Sequence, residues 1–457
     1  MIERLSAYKK SGNQVNRFWA EIEGLPWETV EEIQSRKLRK QLEYVLNQSE
    51  LYRRKFQEAK LQLKKIKTIQ DLKYLPFTTK EEVRQSLISK PPLGYHQAAP
   101  MEKIIRIHSS TGTTGQPTYM GITKHDYEVW KEIVSRVYYT HGLKNSDICI
   151  HAFGLGFFVG GLPIQDAIEN IGATLLPIGL GQSERLIETA LTLKANAIVC
   201  TPSYALYLPE LTKKMGVSPK EVGFRKVLVG AEPGGGIPEV RAKIEETWGS
   251  KVVEGLGNSD IAPIIWAECE EQQGMHFCAQ EFVIPEITDH NTGEVLPVED
   301  GVEGEVVYSA IDREATPLLR FRTNDHVVLW TGPCPCGRTS PRVRCVGRYD
   351  DMLIVKGVNV FPSAVQDVVS SLRPKVTGAI EIQLMGPGPR VEGPLQIRVE
   401  GGEGVALSDY EMLGREVTEL MKKRLYFTPE ILIVPPGSLP KYELKAKLIR
   451  KVYEEKP

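Results

Sequence analysis

The sequence predicts an α/β protein with a large N-terminal domain and a smaller α+β C-terminal domain. Three observations predict it. Short apolar runs alternate with helical segments between residues 104 and 255. Short strands and turns dominate from 280 to 346. The texture then changes at a short charged joint, Gly347-Arg348-Tyr349-Asp350-Asp351. Beyond it the order reads strand, helix, strand, strand, helix, strand.

Residues 15 to 65 are charged and Leu-rich with helical spacing, and read as N-terminal helices. Thr79-Lys80-Glu81-Glu82 is a capping box opening another helix after Pro76. Ile148 to Ala152, Ala173 to Pro177, Ala197 to Thr201, Lys226 to Val229 and Lys251 to Glu254 read as strands. Helical segments near 160–170, 182–194, 203–214 and 237–248 separate them. That order indicates a doubly wound sheet buried on both faces. The turn Asn291-Thr292-Gly293-Glu294 belongs to a β-rich subdomain. In the last part, helices are expected over 362–372 and 408–424, with strands near 376–384, 394–400 and 430–434. Gly386-Pro387-Gly388-Pro389 reads as a turn between two of these.

Composition narrows the function. The 457 residues carry 57 Lys+Arg against 58 Asp+Glu, a net charge of −1. A dedicated nucleic-acid binder would show a basic surplus. No apolar run approaches the ~18 residues of a membrane span. Met1-Ile2-Glu3-Arg4-Leu5-Ser6 has no apolar signal core, so export is not expected and a cytoplasmic protein is. Seven cysteines in so long a chain form no disulfide scaffold and suit a reducing compartment. The charged N-terminal helices leave two readings open, a homodimer contact and a cap on the monomer.

Ser109-Ser110-Thr111-Gly112-Thr113-Thr114-Gly115-Gln116-Pro117 is the most informative stretch. Glycines let backbone N–H groups approach an anion, and hydroxyls add donors. The run lacks Gly-Lys-Ser/Thr, and strand-like segments flank it on both sides, so it is no Walker A loop. Composition alone favours an ordinary surface turn.

The loop resembles the signature of the adenylate-forming acyl-CoA synthetases, and their motif order continues from about residue 100 to the end. The wording is most similar to the phenylacetate–CoA ligase branch. It recurs in His108-Ser109-Ser110, Gly156-Phe157-Phe158-Val159-Gly160-Gly161, Thr201-Pro202-Ser203-Tyr204 and Gly230-Ala231-Glu232-Pro233. It recurs again in Arg320-Phe321-Arg322-Thr323-Asn324-Asp325, Gly347 to Ile354 and Gly357-Val358-Asn359-Val360-Phe361-Pro362-Ser363. The resemblance implies domains over 1–347 and 352–457, the second a mobile lid, with a hinge at 348–351. It implies an ATP-dependent acid–CoA ligase that activates a small acid, aryl and phenylacetate-like, through an acyl-adenylate, releasing AMP and pyrophosphate. ATP, magnesium and coenzyme A would be its cofactors. Three departures, Gln116, Leu256 and Leu444, together with the shortened acid Asp260, also motivate an idle nucleotide-binding scaffold. An adenylating enzyme serving a carrier protein, an amine or a deazaflavin is the other alternative.

By the same resemblance, Ser110, Thr111, Gly112, Thr113, Thr114 and Gly115 form the phosphate loop. Gln116 stands where family members commonly carry Lys. Gly230, Ala231, Glu232 and Pro233 form the adenine-side turn. Leu256-Gly257-Asn258-Ser259-Asp260 matches Tyr-Gly-x-Ser/Thr-Glu, with Ser259 on the α-phosphate and Asp260 on magnesium; Glu254-Gly255 also admits that match. Asp325 and Arg348 serve the ribose, and Asp350 is the hinge. Gly357 lines the pantetheine tunnel. Lys445 is the adenylation lysine, with Lys447 its rival. Phe153 and Phe158 line the acid pocket. Three thiolates and an imidazole make a closed zinc set. Cys269, His276, Cys334 and Cys336 supply one, as in some members of the branch, and Cys278 is an alternative ligand.

Overall fold

The computed structural model describes residues 17–110, 117–442 and 446–455. Helices α1 (Trp27–Gln48), α2 (Glu50–Glu58) and α3 (Lys80–Ser89) precede a hairpin of β1 (Ile104–Ser109) and β2 (Tyr119–Thr123). Next come α4 (Lys124–Thr140), β3 (Ile148–His151), α5 (Leu162–Ile171), β4 (Thr174–Leu176), α6 (Ser183–Leu193) and β5 (Ala197–Cys200). They are followed by α7 (Pro202–Lys214), α8 (Pro219–Val222), β6 (Lys226–Gly230), α9 (Pro238–Trp248) and β7 (Lys251–Asn258). An antiparallel run follows: β8 (Ala262–Glu268), β9 (Met275–Phe277), β10 (Val283–Thr288), β11 (Glu303–Ala310), β12 (Phe321–Trp330) and β13 (Arg342–Arg348).

Strands β4, β3, β5, β6 and β7 lie parallel in that spatial order. Neighbouring residues on them face opposite sides, as a pleat requires. Ile150, Ile198, Val227 and Val252 pack with α6, α7 and α9, whereas Cys149, Val199, Leu228 and Val253 pack with α4 and α5. That two-sided burial is why these strands read as unbroken apolar runs. The β-rich region does not form a separate sheet. Antiparallel pairing of Leu256 with Trp266 joins β7 to β8, and an 11-stranded sheet among the described residues runs on to β10.

One stripe of α1 (Val30, Gln34, Leu38, Gln41, Leu42, Val45) is buried. Gln34 Nε2 donates to the carbonyls of Gln280 and Val283, and Gln41 Nε2 to that of Arg313. This face of the helix therefore caps the chain's own body. The expected capping box is present: Thr79 Oγ1 accepts the Glu82 N–H, and the Thr79 N–H donates to Glu82.

The C-terminal part builds its own core. β14 (Leu353–Val355) and β15 (Val358–Val360) form a hairpin. After them come α10 (Pro362–Ser370), β16 (Val376–Leu384), β17 (Arg390–Val391), β18 (Gln396–Gly401), α11 (Tyr410–Leu425), β19 (Glu430–Val434) and β20 (Ile449–Lys451). Val365, Val369, Ile382, Ile397, Val399, Val417 and Met421 make a buried cluster of their own.

Candidate active site

The carboxyl ends of the parallel strands open into a cleft of about 1900 Å³, roofed by the C-terminal sheet and tail. Ligand sites in open α/β sheets favour that edge. Phe153, Phe158, Leu180, Tyr204, Ile237 and Leu256 are apolar or aromatic residues of the cleft lining. Asp325, Arg348, Asp350, Glu232 and Glu254 line it too and supply charge.

The glycine-rich loop leaves the β1–β2 hairpin. Thr111, Gly112, Thr113, Thr114, Gly115 and Gln116 lie outside the described residues. The neck of the loop is closed by Ser110 and Thr118. The Ser110 N–H donates to the Thr118 carbonyl at 2.9 Å, the Thr118 N–H donates to Ser110 Oγ at 3.1 Å, and the two hydroxyls lie 2.8 Å apart. Thr118 Oγ1 then donates to Asp260 Oδ1 at 2.8 Å.

Asp260 follows the β7 end, where Gly257 permits close backbone packing: a Cβ there would sit 2.1 Å from the Pro263 carbonyl oxygen. Asn258 Oδ1 accepts the Asp260 N–H at 3.1 Å, and Ser259 is half-buried beside it. The Asp260 carboxylate is buried and pairs with Lys80 Nζ at 2.5 Å. Lys80, the first residue of α3, is the partner that sequence reasoning missed. Burial draws its ammonium below the ordinary lysine range, and Asp260 opposes that shift. The capping box marked the helix start but gave no sign of a partner 180 residues away.

Asp325 and Arg348 face each other in the β12–β13 register. Arg348 Nη1 donates to Asp325 Oδ1 at 2.8 Å, and the rest of its fork holds Asp350 through two 2.9 Å bonds. One guanidinium thus joins two of the acids singled out above. Ala231, in the turn after β6, has φ +72°, a backbone region alanine seldom adopts. Gly230 packs on the Gly255 carbonyl, and Ala231, Glu232 and Pro233 line the cleft. Glu254, the rival match, also lines the cleft and lies beside Glu268; burial and that neighbouring carboxylate push it up to about 7. Gly357 sits at φ +86° in the β14–β15 turn, with open space around its Cα. Lys445 lies outside the described residues, and Lys447 is exposed at the cleft.

Apart from the cleft, the donor atoms of Cys269, His276, Cys334 and Cys336 all lie within 4.8 Å of one another. Cys269 Sγ is 3.7 Å from Cys334 Sγ, and Cys336 Sγ is 3.3 Å from His276 Nε2. Bonds from Cys269 and His276 hold the Cys336 thiol below its usual range, whereas the Cys336 contact pushes Cys269 up and burial pushes Cys334 up, so without an ion the three sulfurs do not all ionise. Three sulfurs and one imidazole nitrogen at this spacing fit tetrahedral zinc. Cys278 is excluded from the group; its thiol turns to the His276 carbonyl and Thr140.

Residues 357–451 match the AMP-binding enzyme C-terminal domain. The chain is 34% identical over 439 residues to a phenylacetate–coenzyme A ligase of Thermus thermophilus, covering 93% of this chain and 96% of that one. It is 32% identical over 416 residues to a phenylacetate–coenzyme A ligase of Pseudomonas putida, covering 90% and 92%. Among solved structures it is similar to 2-hydroxyisobutyryl-CoA ligase at 25% identity. The TM-score is 0.90 for that enzyme's postadenylation state, over 97% of this chain and 94% of the other. For its thioesterification state, at 26% identity and the same coverage, it is 0.72. The chain belongs to the phenylacetate–coenzyme A ligase family and is an AMP-forming acid–CoA ligase.

Proposed function

We propose that the acid activated here is a small aryl carboxylic acid of the phenylacetate type, and that free coenzyme A is the acceptor. The observation that carries this reading is the apolar wall of Phe153, Phe158, Leu180 and Leu256 in the same cleft as the polar Asp325–Arg348 pair. An apolar wall suits a flat ring, whereas a hydroxylated acid would need a polar partner there. We place the enzyme in the cytoplasm, where seven free cysteines stay reduced. No helix among the described residues is long and apolar enough to cross a membrane.

In the first step a carboxylate oxygen attacks the α-phosphorus of ATP and the bond to pyrophosphate breaks. Ser110 to Gly115 hold the phosphates, Ser259 the α-phosphate, and Lys445 bridges substrate carboxylate and α-phosphate. The turn Gly230–Pro233, with Gly257 and Asn258, frames the adenine side. Asp325 and Arg348 hold the ribose. In the second step the thiol sulfur of coenzyme A attacks the acyl carbon, the bond to AMP breaks, and the thiol proton is released. Between the steps residues 352–457 turn about Asp350, bringing Gly357 to the pantetheine arm.

Magnesium commonly takes one protein carboxylate and completes its shell with phosphate oxygens and water. Asp260 would be that carboxylate, with the Lys80 ammonium beside it. Lys80 thus holds positive charge at the mouth of a loop whose own Lys position is Gln116. Cys269, His276, Cys334 and Cys336 would hold a structural zinc, which would tie the β12–β13 turn to the β8–β9 segment.

Three outcomes follow. AMP and pyrophosphate release, measured with ATP, magnesium and a panel of acids, should be fastest with aryl acids and should require coenzyme A. Preference for short aliphatic acids would overturn the substrate class. Release indifferent to coenzyme A would favour a carrier protein, an amine or a deazaflavin as acceptor, and silence with ATP still bound would favour the idle scaffold. Replacing Lys80 by Met leaves Asp260 buried without its cation, and should slow acid-dependent pyrophosphate release about 100-fold. A loss below about threefold would remove Lys80 from this role. Cys336→Ser should lower bound zinc, read by atomic absorption, and lower the thermal midpoint; unchanged metal content would refute the zinc assignment.

A further inference from the structure

We infer that Glu232 is a positioning residue, which seats the C-terminal tail over the cleft for the adenylation half-reaction. The inference rests on the ligase reading above and adds a state-specific contact to it. Glu232 is buried, and its two carboxylate oxygens serve two different parts of the molecule. Oε1 accepts the Ser203 N–H at 2.8 Å, in the first turn of α7. Oε2 accepts the Ala446 N–H at 2.5 Å, from the tail that runs into β20.

The first contact makes the acceptor ready in advance. An anion at a helix N-terminus is stabilised by the unpaired N–H groups there. The left-handed backbone of Ala231 fixes the direction in which Glu232 leaves the turn. With one oxygen anchored to α7, the other is held ready for a donor from the tail. A second tail contact uses the same helix: Lys441 Nζ pairs with Glu210 of α7. Both of those side chains are more than 40% exposed, so that pair contributes little. The buried carboxylate is the contact that matters.

The contact also distinguishes states. The chain matches 2-hydroxyisobutyryl-CoA ligase at TM-score 0.90 in its postadenylation state and 0.72 in its thioesterification state, over the same 97% of this chain. The Glu232–Ala446 bond, which joins the large sheet's turn to the tail, belongs to the first arrangement. Rotation about Asp350 must break it before thioester formation.

The test compares two half-reactions: acid-dependent pyrophosphate release, and coenzyme A-dependent consumption of supplied acyl-adenylate. In Glu232→Gln one oxygen becomes a donor, so both N–H groups cannot be accepted. The first rate should fall roughly 10- to 100-fold more than the second, as for a lost charge-assisted bond. Ala446→Pro, which lacks the amide donor, should shift the ratio in the same direction, and the double variant should shift it no further than the larger single effect. Equal slowing of both half-reactions, as from a lost adenine contact or a loosened fold, would overturn the inference; so would additive effects. Hydrogen–deuterium exchange of the peptide containing Ala446 needs no turnover. It should be faster in Glu232→Gln than in the unaltered protein. Equal exchange would sink the clasp whatever the fate of the ligase reading; faster exchange in an enzyme inactive on every acid would sink that reading alone.

Discussion

A buried carboxylate must be paired, and Asp260 sets that requirement for the whole site. Its oxygens go to Lys80 and Thr118, and Thr118 goes on to Ser110. Three distant segments meet there: the first turn of α3, the neck of the glycine-rich loop and the turn after β7. Removing one partner of such a pair typically costs about 3–5 kcal/mol, because the other charge is left in low dielectric. The N-terminal helices therefore do more than cover the sheet. They carry a cation to the place where the parallel strands end.

A second electrostatic link runs through Arg348. Its planar fork can address two acids at once, and it holds Asp325 on β12 and Asp350 at the joint. Glu254 illustrates the dielectric of this wall: burial beside Glu268 raises it to about 7. Around Glu254 and Glu268, both buried, little water remains to screen the two charges from one another.

Much of this was legible in the sequence, and the failures have physical causes. The parallel strands showed as apolar runs because both of their faces are covered. The strand at Val376–Leu384 and the one at Glu430–Val434 fall where patterning placed them. The zinc donors were readable as residue types, and the fold brings all four together although Cys269 and Cys336 stand 67 positions apart in the chain. The joining of the β-rich region to the main sheet was not readable, since it depends on which edge β8 pairs with. Strand β20 was missed because only Leu448 and Ile449 are apolar before Arg450 and Lys451, and its parallel partner β16 lies far back in the chain. Lys80 was hidden by a local role that already explained it. The Glu232–Ala446 contact had no signal at all, since its donor is a backbone amide that every non-proline residue possesses.

Taken together, the loop neck, the cleft at the strand ends and the seated tail describe a site built to join a carboxylate oxygen to the α-phosphorus of ATP. The most direct measurement is isotopic. The acid is labelled with heavy oxygen in its carboxyl group, turned over with ATP and coenzyme A, and the AMP is weighed by mass spectrometry. Attack on the α-phosphorus predicts one labelled oxygen in AMP and none in pyrophosphate. Label absent from AMP, or ADP and labelled phosphate as products, would contradict it.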